Sequence, residues 1–286
     1  MKPLLSPEPL YPSARRCAAA MLLACVAGLV SIAPASAQTS TSAPPDAKAI
    51  LMRMADFVSK LPSFSVEVRD SYDTVQKSGQ KIEYSETRQI TVVRPDRMRL
   101  EVVESHGDRQ TLVINATDIA LTSQPANVFA QKPSPGSLDQ AIVHFVRDLK
   151  MRLPLAMLIM TTAPAELEQR TKVLDYVEKT DILGTPAHHL AGRADGVDYQ
   201  VWIAEGDKPL PLRLVLTYTK EKGEPQFRAQ FSNWNLAPQV TDATFAFTPP
   251  QGAQRIAFLA ELPRSAAPKR ATASKSGSSA NPREKK

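Results

Sequence analysis

The chain has 286 residues, 43% of them hydrophobic and 22% charged, with a formal net charge of +6. The charge is uneven: residues 1–37 hold three basic and one acidic side chain, residues 264–286 seven and one, and the stretch between them 25 against 27. A body with no basic excess speaks against nucleic-acid binding by a structured face. Both cysteines, Cys17 and Cys25, lie near the start, which excludes a disulfide framework, a thiolate nucleophile or a cysteine metal centre in the rest of the chain.

Arg15 and Arg16, an uncharged apolar run over residues 18–32, and Ala35-Ser36-Ala37 ahead of Gln38 have the form of a cleavable export signal. The run is shorter than the roughly 20 apolar residues of a membrane helix, and Pro34 interrupts it. Residues 1–37 are expected to be removed on export. Leu22-Leu23-Ala24-Cys25 has the outline of a lipidation box, but Val26 onward stays apolar where a lipoprotein turns polar.

The body begins with a helix. Asp46 is placed to cap it, Ile50, Leu51, Met54, Phe57, Val58 and Leu61 recur at three- and four-residue spacing, and Pro62 ends it. Strand patterns then follow closely: Phe64, Val66 and Val68; Ile82 and Tyr84 after a Ser78-Gly79 turn; Ile90 and Val92; Met98, Leu100 and Val102; Leu112 and Ile114; Ile119 and Leu121; and a short Val128-Phe129-Ala130. Breaks of a few residues between alternating segments predict an antiparallel meander rather than βαβ units.

Helical signals interrupt the meander. Ser137 and Gln140 form a capping box ahead of an apolar stripe through Leu138, Ile142, Phe145, Val146 and Leu149. Residues 153–160, Leu-Pro-Leu-Ala-Met-Leu-Ile-Met, are apolar on nearly every side, so the segment is either wholly buried or the cover of an apolar cavity. Met151, Met157 and Met160 gather here, and thioethers adapt to varied apolar partners, although simple packing explains such a stripe equally well.

Strands resume at residues 173–177 and 187–191, and then in three alternating segments over residues 198–236, joined by Gly- and Pro-bearing loops. Phe245 and Phe247 suggest one more strand before Pro249-Pro250. The fold class expected is α+β: a single curved antiparallel half-barrel sheet with helices packed on its concave face. Residues 38–263 form that one domain. Residues 264–286 have no apolar side chain larger than alanine or proline and cannot bury enough surface to order themselves. This basic tail either contacts anionic lipid or cell-wall polymer or serves only to solubilise.

Several of these segments carry a resemblance. The opening helix, Val92-Val93-Arg94-Pro95-Asp96-Arg97-Met98-Arg99, the two meanders and the helical insertion resemble the lipoprotein-carrier fold of LolA, LolB and the stress sensor RseB. Leu153-Pro154-Leu155, Gly184-Thr185-Pro186-Ala187-His188-His189-Leu190, Asp198-Tyr199-Gln200-Val201-Trp202-Ile203 and Pro209-Leu210-Pro211 are similar to segments of predicted periplasmic proteins of unknown function sharing that fold. The likeness spans residues 46–258 and implies a periplasmic location, an apolar cavity for acyl chains under a helical lid, and a lid hydrogen bond from the arginine before proline, Arg94. Asn115-Ala116 stands where carriers have a turn glycine, so alanine would bear the strain of any left-handed turn there.

Catalytic signatures are missing: the sequence has no phosphate-binding glycine loop, no H-E-x-x-H, no G-x-S-x-G and no dinucleotide fingerprint. His188 and His189 are adjacent on a strand and point to opposite faces, which suits packing better than a shared zinc ion. Asp198, Gln200 and Trp202 share a face, as a head-group platform or as an outer surface where Asp198 meets Arg193 or Arg213. Trp234, near the end of its strand beside Asn233 and Asn235, suits a plug at the barrel end equally well.

The function expected is non-enzymatic binding of a lipid or acylated molecule, with Phe145, Leu155, Met157, Leu158, Met160 and Arg94 as ligand-binding residues under a lid of residues 138–160, and no cofactor or metal. The alternative is an interaction or stress-sensing module whose partner is another envelope protein and whose cavity is filled by its own side chains.

Overall fold

The computed structural model describes residues 45–258 apart from Pro125. The expected export signal, Cys25 and the basic tail therefore lie outside the described residues.

Helix α1, Ala47–Lys60, starts where Asp46 accepts a hydrogen bond from the Ala49 amide at 3.1 Å. It ends at an extended Leu61 ahead of Pro62, whose ring cannot continue the ladder. Its buried stripe, Leu51, Met54, Ala55 and Val58, lies against the sheet and the helical insertion. Strands β1, Ser63–Val75, and β2, Lys81–Val93, form one hairpin paired from Ser63↔Val93 to Val75↔Lys81. The shorter β3, Arg97–Glu104, β4, Arg109–Ile114, β5, Asp118–Gln124, and β6, Val128–Pro133, continue the meander.

The insertion is less regular than its apolar stripe suggests. The capping box at Ser137 and Gln140 starts α2, Leu138–Val143, but the backbone then widens into a π-helical turn, His144–Asp148, with the Leu149 amide bonded to the His144 carbonyl. Only one turn of residues 153–160 is helical, α3, Ala156–Ile159. A further helix, α4, Ala163–Arg170, was not foreseen from the sequence. Pro164 in its first turn, an exposed Glu166–Arg170 pair and buried Ala163 and Leu167 account for it.

The second meander comprises β7, Val173–Ile182, β8, Thr185–Ala194, β9, Val197–Ala204, β10, Pro211–Tyr218, and β11, Gln226–Asn235. The strand expected at Phe245 and Phe247 is instead a 3₁₀ turn, Asp242–Phe245. It is fastened to the sheet by Arg97 on Asp242 at 2.8 Å and by Asn115 Nδ2 donating to the Phe245 carbonyl at 3.0 Å. A two-residue β12, Gln254–Arg255, closes the described chain.

The twelve strands of the described residues make one sheet in the order β12-β6-β5-β4-β3-β2-β1-β11-β10-β9-β8-β7. Its pairings are antiparallel except that of β12 with β6. The two meanders meet where β1 pairs with β11, Val68 opposite Phe231. Since β12 and β7 stay apart, the curved sheet is an open α+β half-barrel, with the helices on its concave face. The turn at Asn115-Ala116 needs no glycine. Neither residue has a positive φ, and the Asn115 side chain accepts from the amides of Thr117 and Asp118 at 2.9 and 2.8 Å.

Candidate functional site

Along β1 and β2 the side chains of Phe64, Val66, Val68, Ile90 and Val92 alternate onto the concave face and are buried there. With Phe231, Trp234 and Pro211 from the second meander and Val58 from α1, residues of this wall surround a space roofed by Leu155, Leu158 and Ile159. The space measures about 20 Å³. That is room for one water, where small-molecule sites run to roughly 300–1,000 Å³. Roof and wall are in contact.

The roof is held by few bonds. Leu155 takes the left-handed conformation, φ 66°, which costs a branched side chain about 1–2 kcal/mol. Its carbonyl accepts from Leu158 N at 2.9 Å. Two side chains tie the segment down. Asp139 on α2 accepts from the Thr161 amide at 3.1 and 3.2 Å and from its hydroxyl. Arg94, in the β2–β3 turn, donates from Nε to the Leu61 carbonyl at 3.0 Å and from Nη2 to the Ile159 carbonyl at 2.7 Å. Its Nη1 is shielded from solvent and has no partner. Burial pushes the Arg94 guanidinium down from its ordinary value, while the Asp139 carboxylate pulls it the other way.

Of the six residues expected from sequence to meet a ligand, Leu155 and Leu158 line this space, and Arg94 bonds the backbone of its third roof residue. Met157 is half-buried against the core. Met160 borders a groove of about 370 Å³ on the outside of α2, beside Val143, His144 and Asp148. Phe145 is buried edge-on against Phe258, ring centres 6.1 Å apart. Trp234 belongs to the wall: it lies against Phe64 and Phe231 at 5.5 and 6.1 Å and donates to the Pro211 carbonyl.

Further along the same face the lining changes character. Asp70, Glu86 and Glu104 stand directly opposite one another across β1, β2 and β3. Arg88 bonds both Asp70 and Glu86, and Gln110 donates to Glu104 at 3.0 Å. Tyr72 and Tyr84 stack beside this row at 5.8 Å. Burial is the chief cause that holds the Glu86 carboxyl above the ordinary value, and the charges of Asp70 and Glu104 add to it. The row escaped the reading of the sequence. Its only trace is a break of pattern, Asp70 after Val66 and Val68, and Arg88 before Ile90 and Val92, polar residues at positions whose parity is apolar.

The histidines do not form a metal pair. His188, opposite Ile203, faces the concave side next to Tyr176, and His189, opposite Trp202, faces the other. The His189 ring stacks on Trp202 at 4.1 Å with Arg213 over the same indole at 5.0 Å, and Nε2 meets Gln200 at 3.0 Å. Asp198 is held by two bonds of 2.9 Å from Arg193. The shared face of Asp198, Gln200 and Trp202 is thus committed to its neighbours. Among the described residues no three His, Cys, Asp or Glu side chains gather as a metal set, and no helix is long and apolar enough to cross a membrane.

An open antiparallel half-barrel, apolar inside and roofed by a loosely tied helical insertion, defines the architectural class. The chain belongs to the DUF2092 family of predicted periplasmic proteins, whose model matches residues 47–259. No curated protein matches it in sequence. Among solved structures it is similar to an uncharacterised conserved protein of Thermus thermophilus, at 15% identity over 74% of this chain and 99% of that one, TM-score 0.43. It is also similar to the lipoprotein LppX of Mycobacterium tuberculosis, at 13% identity over 68% and 97%, TM-score 0.44. A third is the LolA superfamily protein NE2245 of Nitrosomonas europaea, at 11% identity over 72% and 99%, TM-score 0.36.

Proposed function

We propose that the protein is a non-enzymatic periplasmic binder of a lipid or acylated molecule, whose apolar part lies between the concave wall and the insertion once residues 153–160 move aside. The observation that carries this reading is the roof itself. An apolar segment with one helical turn and a left-handed leucine lies over a continuous apolar wall, and the side-chain ties at its ends come from Arg94 and Asp139. At about 0.8 kcal/mol per buried methylene, a chain of about a dozen would contribute roughly 10 kcal/mol, enough to displace Leu155 and Leu158 from the wall. Met157 and Met160, on the moving segment, have the flexibility to repack against such a chain.

The resting cavity of about 20 Å³ favours a second reading, in which the interior is permanently self-filled and the protein recognises another envelope protein. Native mass spectrometry of protein prepared from periplasmic extract, together with displacement of a fluorescent fatty acid, separates the two. Retained or displaceable lipid supports the carrier reading. Absence of bound lipid together with no uptake of the probe overturns it in favour of the interaction module.

A further inference from the structure

Arg94 is a cation with no ion-pair partner among the described residues. Its guanidinium is half-buried at the meeting point of the α1 C-terminus, the β2–β3 turn and α3, and its bonds go to two main-chain carbonyls, Leu61 and Ile159. Among the described residues no carboxylate comes within ion-pair distance of it. The nearby acid that acts on it, Asp139, has both oxygens occupied by Thr161. Nη1 has no partner and no access to water. A buried donor left unpaired costs about 1–3 kcal/mol, more when charged, and an uncompensated buried charge is the costly case among ionic arrangements.

Opening the roof changes what this group offers. Displacing residues 153–160 removes the Ile159 carbonyl from Nη2, while Nε stays on Leu61, which belongs to the end of α1 and does not move with the roof. The free edge is then Nη1 and Nη2 side by side, the fork that guanidinium presents to a carboxylate or phosphate. It stands at the rim of the apolar space, since the residue it releases, Ile159, is one of that space's three roof residues.

We infer that the ligand has an anionic head, and that Arg94 pairs with it in place of the Ile159 carbonyl while the apolar chain fills the space beneath the roof. This rests on the cavity reading above. It adds a specificity: single-chain amphiphiles with a carboxylate or phosphate head are taken in preference to neutral ones of equal length. Exchange of a carbonyl for an anion also couples binding to roof opening, because the ligand supplies the partner that the open state lacks.

The test is competition on the full chain with a fluorescent fatty acid as probe, using oleate, methyl oleate and oleoyl lysophosphatidate as competitors. Oleate or the lysophosphatidate, or both, should compete at least about tenfold better than methyl oleate, and whichever does so identifies the head. Arg94→Gln should bring the charged competitors to within about threefold of the ester, and Arg94→Lys should retain part of the preference as a point charge. If Arg94→Gln does not fold, the competitor ratio on the unmodified chain and on Arg94→Lys decides. Equal competition by ester and acid on the unmodified chain overturns the head-group assignment and leaves the cavity reading standing. Failure of the probe to bind at all overturns both.

Discussion

Asp70 on β1 and Arg88 on β2 are joined by two hydrogen bonds, Nε to Oδ1 at 2.7 Å and Nη2 to Oδ2 at 3.3 Å, on the covered face of the sheet. Their side chains are 0% and 9% exposed, so the pair is held out of water and its partners cannot be resolvated cheaply. Arg88→Met would leave Asp70 and Glu86 without a counter-charge. Such a break costs about 3–5 kcal/mol, to be read as a lowered midpoint of urea unfolding. A loss under about 1 kcal/mol, the range of exposed pairs, would mean that water reaches the row.

The same row makes stability fall on the neutral side of the pH scale. Burial, with Asp70 and Glu104 adding to it, holds the folded-state pKa of Glu86 above the ordinary 4.5, so the folded protein binds this proton more tightly than the unfolded chain does. The stabilisation is full below 4.5 and is lost as the pH rises through the raised value. Asp148 has the opposite sign: hydrogen bonds from Arg147 and His144 lower it from 3.8 to about 2, and its contribution vanishes only as the pH falls through that range. Unfolding measured across pH should therefore show a shallower decline above 4.5 in Glu86→Gln, the remainder belonging to Asp70, whose carboxyl is also raised by burial, and should keep its acid limb. An unchanged neutral-side slope would place the proton elsewhere.

Gly192 is required for space and not for a turn. A Cβ there would lie 2.1 Å from Cζ of Tyr199, on the strand opposite. The ring cannot retreat freely, because it is buried and its hydroxyl is bonded to Thr171 at 2.8 Å. Gly192→Ala is expected to cost about 1–3 kcal/mol by overpacking, and Tyr199→Phe about 1 kcal/mol for the lost hydrogen bond. Thermal unfolding of the two variants checks the order. An alanine tolerated within about 0.5 kcal/mol would show that the ring has another seat.

Leu155 is one of the three roof residues that line the apolar space. Leu155→Ala is expected to cost about 2–5 kcal/mol of stability while increasing uptake of an apolar fluorescent dye, since the residual cavity opens onto the wall of Phe64, Val66 and Phe231. Val146→Ala, at a side chain 40% exposed on the π-helical turn, serves as the control and should stay within about 0.5 kcal/mol with unchanged dye uptake. Destabilisation without extra uptake would mean that the roof collapses onto the wall.

Much of the architecture was legible in the residues. Asp46 and Pro62 bound α1, the Ser137–Gln140 box starts α2, and the period of two marks the strands of both meanders, because caps and pleats are set by neighbours a few positions away. Where local patterns compete, reading them failed. Phe245 and Phe247 have strand spacing but the segment is a 3₁₀ turn fastened by Arg97 and Asn115, and the stripe through Phe145 continues smoothly in sequence while the backbone widens to π. The polar row shows as a break of parity in two strands, yet neither strand alone says that Asp70 and Arg88 meet.

The amino-acid order by itself determined α1, the start of α2, most strands of the two meanders, the single sheet and the apolar character of residues 153–160. Tertiary structure alone decided that β1 pairs with β11, that Trp234 lines the wall, that roof and wall touch, and that Arg94 takes the Ile159 carbonyl as its lid partner with one nitrogen left unpaired. The physical reason is range. A cap or a pleat is settled within one turn of chain, whereas an orphaned charge or a filled cavity exists only once segments far apart in sequence have excluded water from the space between them.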